Sequence, residues 1–158
     1  MNDAFVYVTY IRTTQEKLWD ALTKPEFTRL YWGGVYQESN FVKGSKWKMF
    51  LPDGRLADSG EILEADRPKR LVLKWRNEFK PELEPEGYSR CTFTLEPSGD
   101  MIKLSVLHEM EKPIKDSKFI GSVSNGWPMV LSSLKSLLET GTAFDIRTAK
   151  AHCGSEQK

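Results

Sequence analysis

Apolar residues recur at every second position through the middle of the chain and then change to helical spacing near its end. Between residues 35 and 111 there are six alternating segments, separated by turn sequences such as Pro52-Asp53-Gly54. A period of two predicts strands with one apolar face. In residues 116–140 the apolar positions lie three or four apart, which predicts one long amphipathic helix that ends at Gly141. An apolar sheet face and an apolar helix face must cover each other.

The start of the chain adds three more elements. Residues 5–12 are rich in β-branched and aromatic types and predict a strand. Two short helices follow, divided at Pro25, because the residue before a proline is pushed out of the helical region. Short turns between the later strands favour an antiparallel meander. We therefore predict an α+β fold in which a curved seven-stranded antiparallel sheet wraps around the long C-terminal helix, with an internal cavity where the two do not touch.

Length and composition predict one folded domain. A chain of 158 residues suits a single domain, and an apolar fraction of 39% with 11% aromatic residues excludes the disordered class. We expect a single domain at residues 1–141 and a polar, flexible tail at residues 142–158.

Charge and cysteine content exclude several function classes. With 23 Lys and Arg against 22 Asp and Glu, the net charge of +1 gives no reason to expect a nucleic acid or an anionic membrane as partner. The longest uninterrupted apolar run, residues 4–8, is too short to cross a bilayer. Cys91 and Cys153 form no disulfide framework, and no export signal precedes the first strand, so we expect a cytoplasmic protein.

Several local segments resemble a known family. They are residues 16–26 (EKLWDALTKPE), 60–62 (GEI), 68–75 (PKRLVLKW) and 104–108 (LSVLH), and Gly126-Trp127 with Leu131, Leu134, Leu138 and Gly141. Together with the order of elements, they are similar to the START-like (helix-grip, SRPBCC) superfamily, in the branch related to the C-terminal domain of the activator of Hsp90 ATPase. The resemblance covers about residues 7–141 and implies the helix-grip fold. That fold hosts ligand carriers, cyclases, hydrolases and co-chaperone domains, so it leaves the function open.

Residues predicted to face the space between sheet and helix form the candidate ligand site. They are Trp47, Leu73, Trp75, Phe93, Leu104, Val106, His108, Trp127, Val130 and Leu131. Apolar burial would give affinity for a small hydrophobic or amphipathic molecule. The His108 imidazole could orient the polar end of that molecule or act as an acid or base. The alternative is a plain core for the aromatic residues, Trp19 included, and a hydrogen-bonded core histidine at 108.

The remaining polar residues give weaker signals. Asp58, Glu61 and Arg76 lie on predicted strands, and we expect each of them on the solvated face. His152 and Cys153 are adjacent but lack the spacing of a metal site. We assign no metal, no cofactor and no catalytic residue.

Three functions follow as hypotheses. The leading one is a small-molecule binding domain with its ligand between sheet and helix. The second, implied by the resemblance, is a stress-response protein that associates with a chaperone and modulates the Hsp90 ATPase. The third is an enzyme of the cyclase or hydrolase kind that uses His108 and a nearby carboxylate. Many START-like domains pair, so the resemblance also allows a homodimer.

Overall fold

The computed structural model describes residues 4–146 and contains the predicted elements in the predicted order. The α-helices are α1 (Gln15–Thr23), α2 (Pro25–Tyr31) and α3 (Lys118–Thr140). A short 3₁₀ helix, Pro81–Glu86, lies in the connection at residues 78–88. The strands are β1 (Ala4–Ile11), β2 (Tyr36–Ser39), β3 (Lys46–Phe50), β4 (Leu56–Asp66), β5 (Arg70–Asn77), β6 (Ser89–Ser98) and β7 (Met101–Met110).

All seven strands of the described chain form one antiparallel sheet in the order β1-β7-β6-β5-β4-β3-β2. Strands β2 to β7 follow one another as a meander, and β1 joins at the edge formed by β7. The α+β prediction of a seven-stranded sheet with one long C-terminal helix is confirmed. Two bulges interrupt the register of β4. Ala57 has no partner on β3, and Leu63 has no partner on β5. Such bulges raise the local twist of a sheet.

The core lies between the inner face of the sheet and α3. Trp47, Gly60 and Trp75 are cross-strand partners and therefore share one face. A Cβ atom at Gly60 would overlap the backbone carbonyl of Lys74, so β4 and β5 approach closely at this row. Within residues 4–146 there is no helix long and apolar enough to span a bilayer.

Glu86 holds the first turn of α3. Its carboxylate accepts hydrogen bonds from Ser117 Oγ (2.6 Å), Lys118 N (2.9 Å) and Phe119 N (3.2 Å). Partial burial disfavours the charged carboxylate, but these three donors outweigh it and lower the pKa of Glu86. The Ser117 hydroxyl in turn accepts from Ile120 N, so the helix start is capped by two side chains.

We expect Glu86→Ala to lower the free energy of unfolding by about 1–2 kcal/mol, because the first N–H groups of α3 lose their acceptor. Chemical denaturation at neutral pH measures this change. Glu82→Ala is the matched control, since Glu82 is exposed on the same 3₁₀ helix. Equal stability of the two variants would contradict the assigned role of Glu86.

The chain beyond α3 continues to pack against the domain. Ser133 Oγ accepts a hydrogen bond from Phe144 N (3.0 Å), and the Ile146 side chain is 1% exposed. The expected domain boundary at residue 141 therefore differs from the packing, which extends through Ile146. The rest of the predicted tail, with His152 and Cys153, lies outside the described residues. In the described part, no group of three His, Cys, Asp or Glu side chains could hold a metal.

Candidate functional site

An open cavity of about 600 Å³ lies between β3–β5 and the first half of α3. This volume falls within the range of small-molecule sites. The sheet contributes Met49, Leu51, Ala57 and Trp75, and α3 contributes Phe119, Val123, Trp127, Met129 and Val130. Trp32, Leu83 and Ile146 lie among the other apolar walls. The polar lining consists of Asp58, Asn77, Lys80, Ser122 and Asn125.

The cross-strand register brings the polar end of the cavity together. Met49, Asp58 and Asn77 are partners across β3, β4 and β5. Each lies two residues along its strand from the row of Trp47, Gly60 and Trp75, and therefore on the same face. Asn77 Nδ2 donates to Asp58 Oδ1 at 2.9 Å. Asn77 Oδ1 accepts from the backbone N–H groups of Phe79 and Lys80. The turn after β5 thus fixes the amide with its nitrogen toward Asp58.

Asp58 is an acid in an apolar environment. Its side chain lines the cavity and the residue is 8% exposed. Burial raises its pKa to about 7, and the charge of Glu78 adds to the rise, whereas Trp75, Asn77 and Lys80 oppose it. The carboxyl group is therefore present in both protonation states near neutral pH. A perturbed acid in a cavity is a feature that binding and catalytic sites share.

Trp75 carries an unused hydrogen-bond donor at the same place. The residue is 4% exposed, and its indole Nε1 has no hydrogen-bond partner within the described residues. The indole lies near enough to Asp58 to favour the carboxylate, yet it is outside hydrogen-bonding geometry. The neighbouring Trp47 and Trp127 donate to Gln37 Oε1 (2.8 Å) and His108 Nδ1 (3.1 Å). A buried N–H without an acceptor destabilises the fold by about 1–3 kcal/mol and requires an explanation.

Aromatic rings form the walls around this polar end. The Trp75 and Trp127 ring centroids are 5.9 Å apart in an edge-to-face arrangement, and Trp32 lies 5.3 Å from Trp127. Trp47 packs behind Trp75 at 4.7 Å. These rings support one another, so the cavity walls are held by packing.

His108 belongs to the core behind the cavity. It is fully buried, and burial lowers the pKa of its imidazole to about 3. Because Trp127 donates to Nδ1, the proton is on Nε2, which donates to Ser89 Oγ (2.9 Å). The Ser89 hydroxyl then donates to Trp75 O (2.9 Å). Both ring nitrogens are satisfied, so the surroundings match the alternative of a hydrogen-bonded core histidine rather than an acid or base facing a ligand.

The structure divides the ten predicted site residues into two groups. Trp75, Trp127 and Val130 line the cavity. The other seven are buried but do not line the cavity: Trp47, Leu73, Phe93, Leu104, Val106, His108 and Leu131. Trp19 is also buried and outside the lining. A ligand-binding role for the three lining residues stays a prediction.

The expected placement of Asp58 on the solvated face is wrong. Adjacent Ile62 and Leu63 give β4 an aliphatic residue on either face, so alternation leaves open which face points inward. The bulge at Leu63 resolves the ambiguity in favour of Ile62, and Asp58 lies four residues earlier on the same face. Glu61 is exposed as expected.

Arg76 is half-buried and pairs with Glu78 at 2.9 Å. The sequence interpretation also missed Asn77 and Trp32. An asparagine at the end of a strand gives no periodic signal, and Trp32 follows a short helix. The one usable signal was the spacing of Asp58, Gly60 and Ile62 at a period of two.

Solved structures with the same fold support the predicted helix-grip architecture. A protein of Mesorhizobium loti is 24% identical, with a TM-score of 0.71 over 85% of this chain and 96% of that one. The Aha1 dimer from Colwellia psychrerythraea is 20% identical, with a TM-score of 0.70 over 87% and 97%. An HSP90 activator from Plasmodium falciparum is 23% identical, with a TM-score of 0.67 over 85% and 95%. At these identities the likeness shows the fold alone, and no curated protein matches the sequence.

The family model described as activator of Hsp90 ATPase homolog 1-like protein matches residues 12–139. The match covers most of the chain and confirms the resemblance found in the sequence. It includes the strands and the part of α3 that surround the cavity. The chain therefore belongs to the activator of Hsp90 ATPase homolog 1-like family.

Proposed function

We propose that this protein binds a small amphipathic molecule in the cavity between β3–β5 and α3. The observation that carries the proposal is an open space of about 600 Å³ with aromatic walls and the hydrogen-bonded pair of Asp58 and Asn77 in its lining. Apolar walls supply affinity through burial, and a small number of placed polar groups fix orientation.

The buried polar groups of the cavity support this proposal. A buried carboxyl with a raised pKa and an unpaired indole N–H both destabilise the folded state, and the residues that carry them, Asp58 and Trp75, both line the cavity. Natural proteins satisfy their buried polar groups, and the exceptions concentrate at functional sites. A guest that satisfies these groups would return part of the lost stability.

A cavity-filling variant tests the proposal. Val123 is half-buried on α3 and lines the cavity, so Val123→Trp should occupy the space. In a thermal-shift screen of lipids and metabolites, a ligand at about 100 times its Kd should raise the Tm of the wild type by roughly 5–10 °C. Native mass spectrometry should show the same ligand bound. We expect neither effect in Val123→Trp.

Ser124→Trp is the matched control for this screen. Ser124 is the next residue on the same helix, is also half-buried, and is not among the residues that line the cavity. This variant should retain the ligand-dependent shift. The proposal fails if no compound stabilises the wild type, or if Val123→Trp responds as strongly as the wild type does.

The comparisons favour one second candidate, an association with the chaperone Hsp90. The matching family takes its name from the activator of Hsp90 ATPase, and one protein of similar structure is an HSP90 activator. A pull-down together with an ATPase assay tests this role, and absence of both binding and stimulation would eliminate it. The neighbour from Colwellia psychrerythraea is a dimer, so light scattering of this chain should accompany both assays to test for a homodimer.

A further inference from the structure

We propose that the polar end of the guest is a neutral hydroxyl group, held between the Asp58 carboxyl and the indole N–H of Trp75. This inference rests on the proposed function and names its ligand class: an apolar molecule that carries an alcohol or a phenol.

The first requirement is an acceptor for Trp75. Its buried Nε1 has no hydrogen-bond partner within the described residues, although the indole lies near the Asp58 carboxyl. Gln37 binds Trp47, and His108 binds both Trp127 and Ser89. The guest must therefore present a lone pair to Trp75 Nε1.

The second requirement is a group that suits Asp58 in both of its protonation states. One of its oxygens already accepts from Asn77 Nδ2. Burial raises the pKa of the carboxyl to about 7, and Trp75 and Asn77 are the main groups that oppose the rise. Near neutral pH the guest thus meets a carboxylate in some molecules and a carboxylic acid in others.

A hydroxyl group meets both requirements. Its oxygen accepts from Trp75, and the same group can donate to the ionised Asp58 or accept from the protonated one. An ammonium group needs the ionised Asp58 and has no lone pair for Trp75. A carboxylate or a carbonyl accepts from Trp75 but can pair only with the protonated Asp58. The hydroxyl is therefore the group whose binding does not depend on the charge of Asp58.

Four probes with one aromatic body test the inference by calorimetry at about pH 6 and about pH 8, on either side of the Asp58 titration. They are β-naphthylmethanol, β-methylnaphthalene, β-naphthylmethylamine and β-naphthoate. We expect the alcohol to bind at least about tenfold more tightly than the methyl compound at both pH values, since it gains two hydrogen bonds. Its affinity should change less than about threefold between them.

Trp75→Phe isolates the hydrogen bond from the ring. The alcohol should then lose most of its advantage over the methyl compound, whereas Trp32→Phe, which alters another ring of the lining, should preserve it. In a ¹⁵N–¹H spectrum, the indole resonance that is absent from Trp75→Phe should move downfield when the alcohol binds to the wild type. Loss of packing alone would not produce that shift.

The outcomes separate this inference from the proposed function. If the methyl compound binds as tightly as the alcohol, the cavity binds a guest but the hydroxyl inference is wrong. If the amine or the carboxylate binds more tightly than the alcohol, the inference is likewise overturned. If none of the four probes binds, the proposed function itself is contradicted, because an open apolar cavity of this volume should accept a two-ring aromatic molecule.

Discussion

Asp58→Asn should raise the free energy of unfolding at about pH 8 by up to about 4 kcal/mol. At that pH the carboxyl is ionised in a buried site where its pKa is about 7, whereas its ordinary value is 3.8. The unfolded chain ionises this group without penalty and the folded chain does not. An amide has a similar shape, accepts from Asn77 as the carboxyl does, and carries no charge. Urea denaturation of the two proteins measures the difference.

The gain should depend on pH with a definite sign. Between about pH 4 and about pH 7 the folded chain holds a proton on Asp58 that the unfolded chain has released, so this group makes stability fall as pH rises. The variant and the wild type should therefore converge near about pH 4, where the folded carboxyl is neutral. Glu61→Gln, an exposed change on the same strand, should leave the profile unaltered. A gain that is constant with pH would contradict the buried titration.

His108→Phe should lower the free energy of unfolding at about pH 7 by about 2–4 kcal/mol. The phenyl ring fills most of the space but leaves the Trp127 indole N–H without its acceptor and the Ser89 hydroxyl without its donor. The difference in unfolding free energy between the variant and the wild type should be smaller by about 2 kcal/mol at about pH 5. There the wild type has lost stability, because His108, with a pKa of about 3 when folded and 6.5 ordinarily, takes up a proton only on unfolding.

Leu107→Phe is the matched control for this variant. Leu107 precedes His108 on β7 and is half-buried on the opposite face. A phenyl ring there should change stability by less than about 0.5 kcal/mol at either pH. If His108→Phe were as stable as this control, the hydrogen-bonded chain through Trp127, His108 and Ser89 would contribute nothing to the core.

The two titrations oppose each other in the wild type. From about pH 4 to about pH 6.5, Asp58 lowers stability with rising pH and His108 raises it, each by about 1.4 kcal/mol per pH unit. Their sum should be close to zero across that range. Each single variant should expose the slope of the group that remains, with opposite signs in Asp58→Asn and His108→Phe.

Most of the fold follows from the sequence because its signals are local and repeated. Alternation in residues 35–111 specifies strands, and the helical spacing of residues 116–140 specifies α3 within two residues of its observed start at Lys118. The packing of residues 142–146 is not predictable in this way. It depends on Ser133 of α3, which binds the Phe144 backbone, and on a distant apolar surface for Ile146.

The candidate site was harder to predict, for a physical reason. Pattern shows which residues are apolar and inward, and three of those it selects, Trp75, Trp127 and Val130, line the cavity. It does not show where inward side chains meet and where they leave space. That difference depends on strand twist, bulges and helix position. It is the reason that Trp75 lines the cavity whereas Trp47 and Leu73 do not. Asp58 was missed because two adjacent aliphatic residues, Ile62 and Leu63, left the inward face of β4 undefined.

A crystal structure of the protein with β-naphthylmethanol, grown near neutral pH, tests the central claim most directly. We predict that the naphthalene rings lie between Trp75 and Val130. The hydroxyl oxygen should be within about 3 Å of both Trp75 Nε1 and an Asp58 carboxyl oxygen. An empty site, or side chains of α3 collapsed into the space so that no ligand can enter, would contradict the claim that this domain holds a small molecule between its sheet and its long helix.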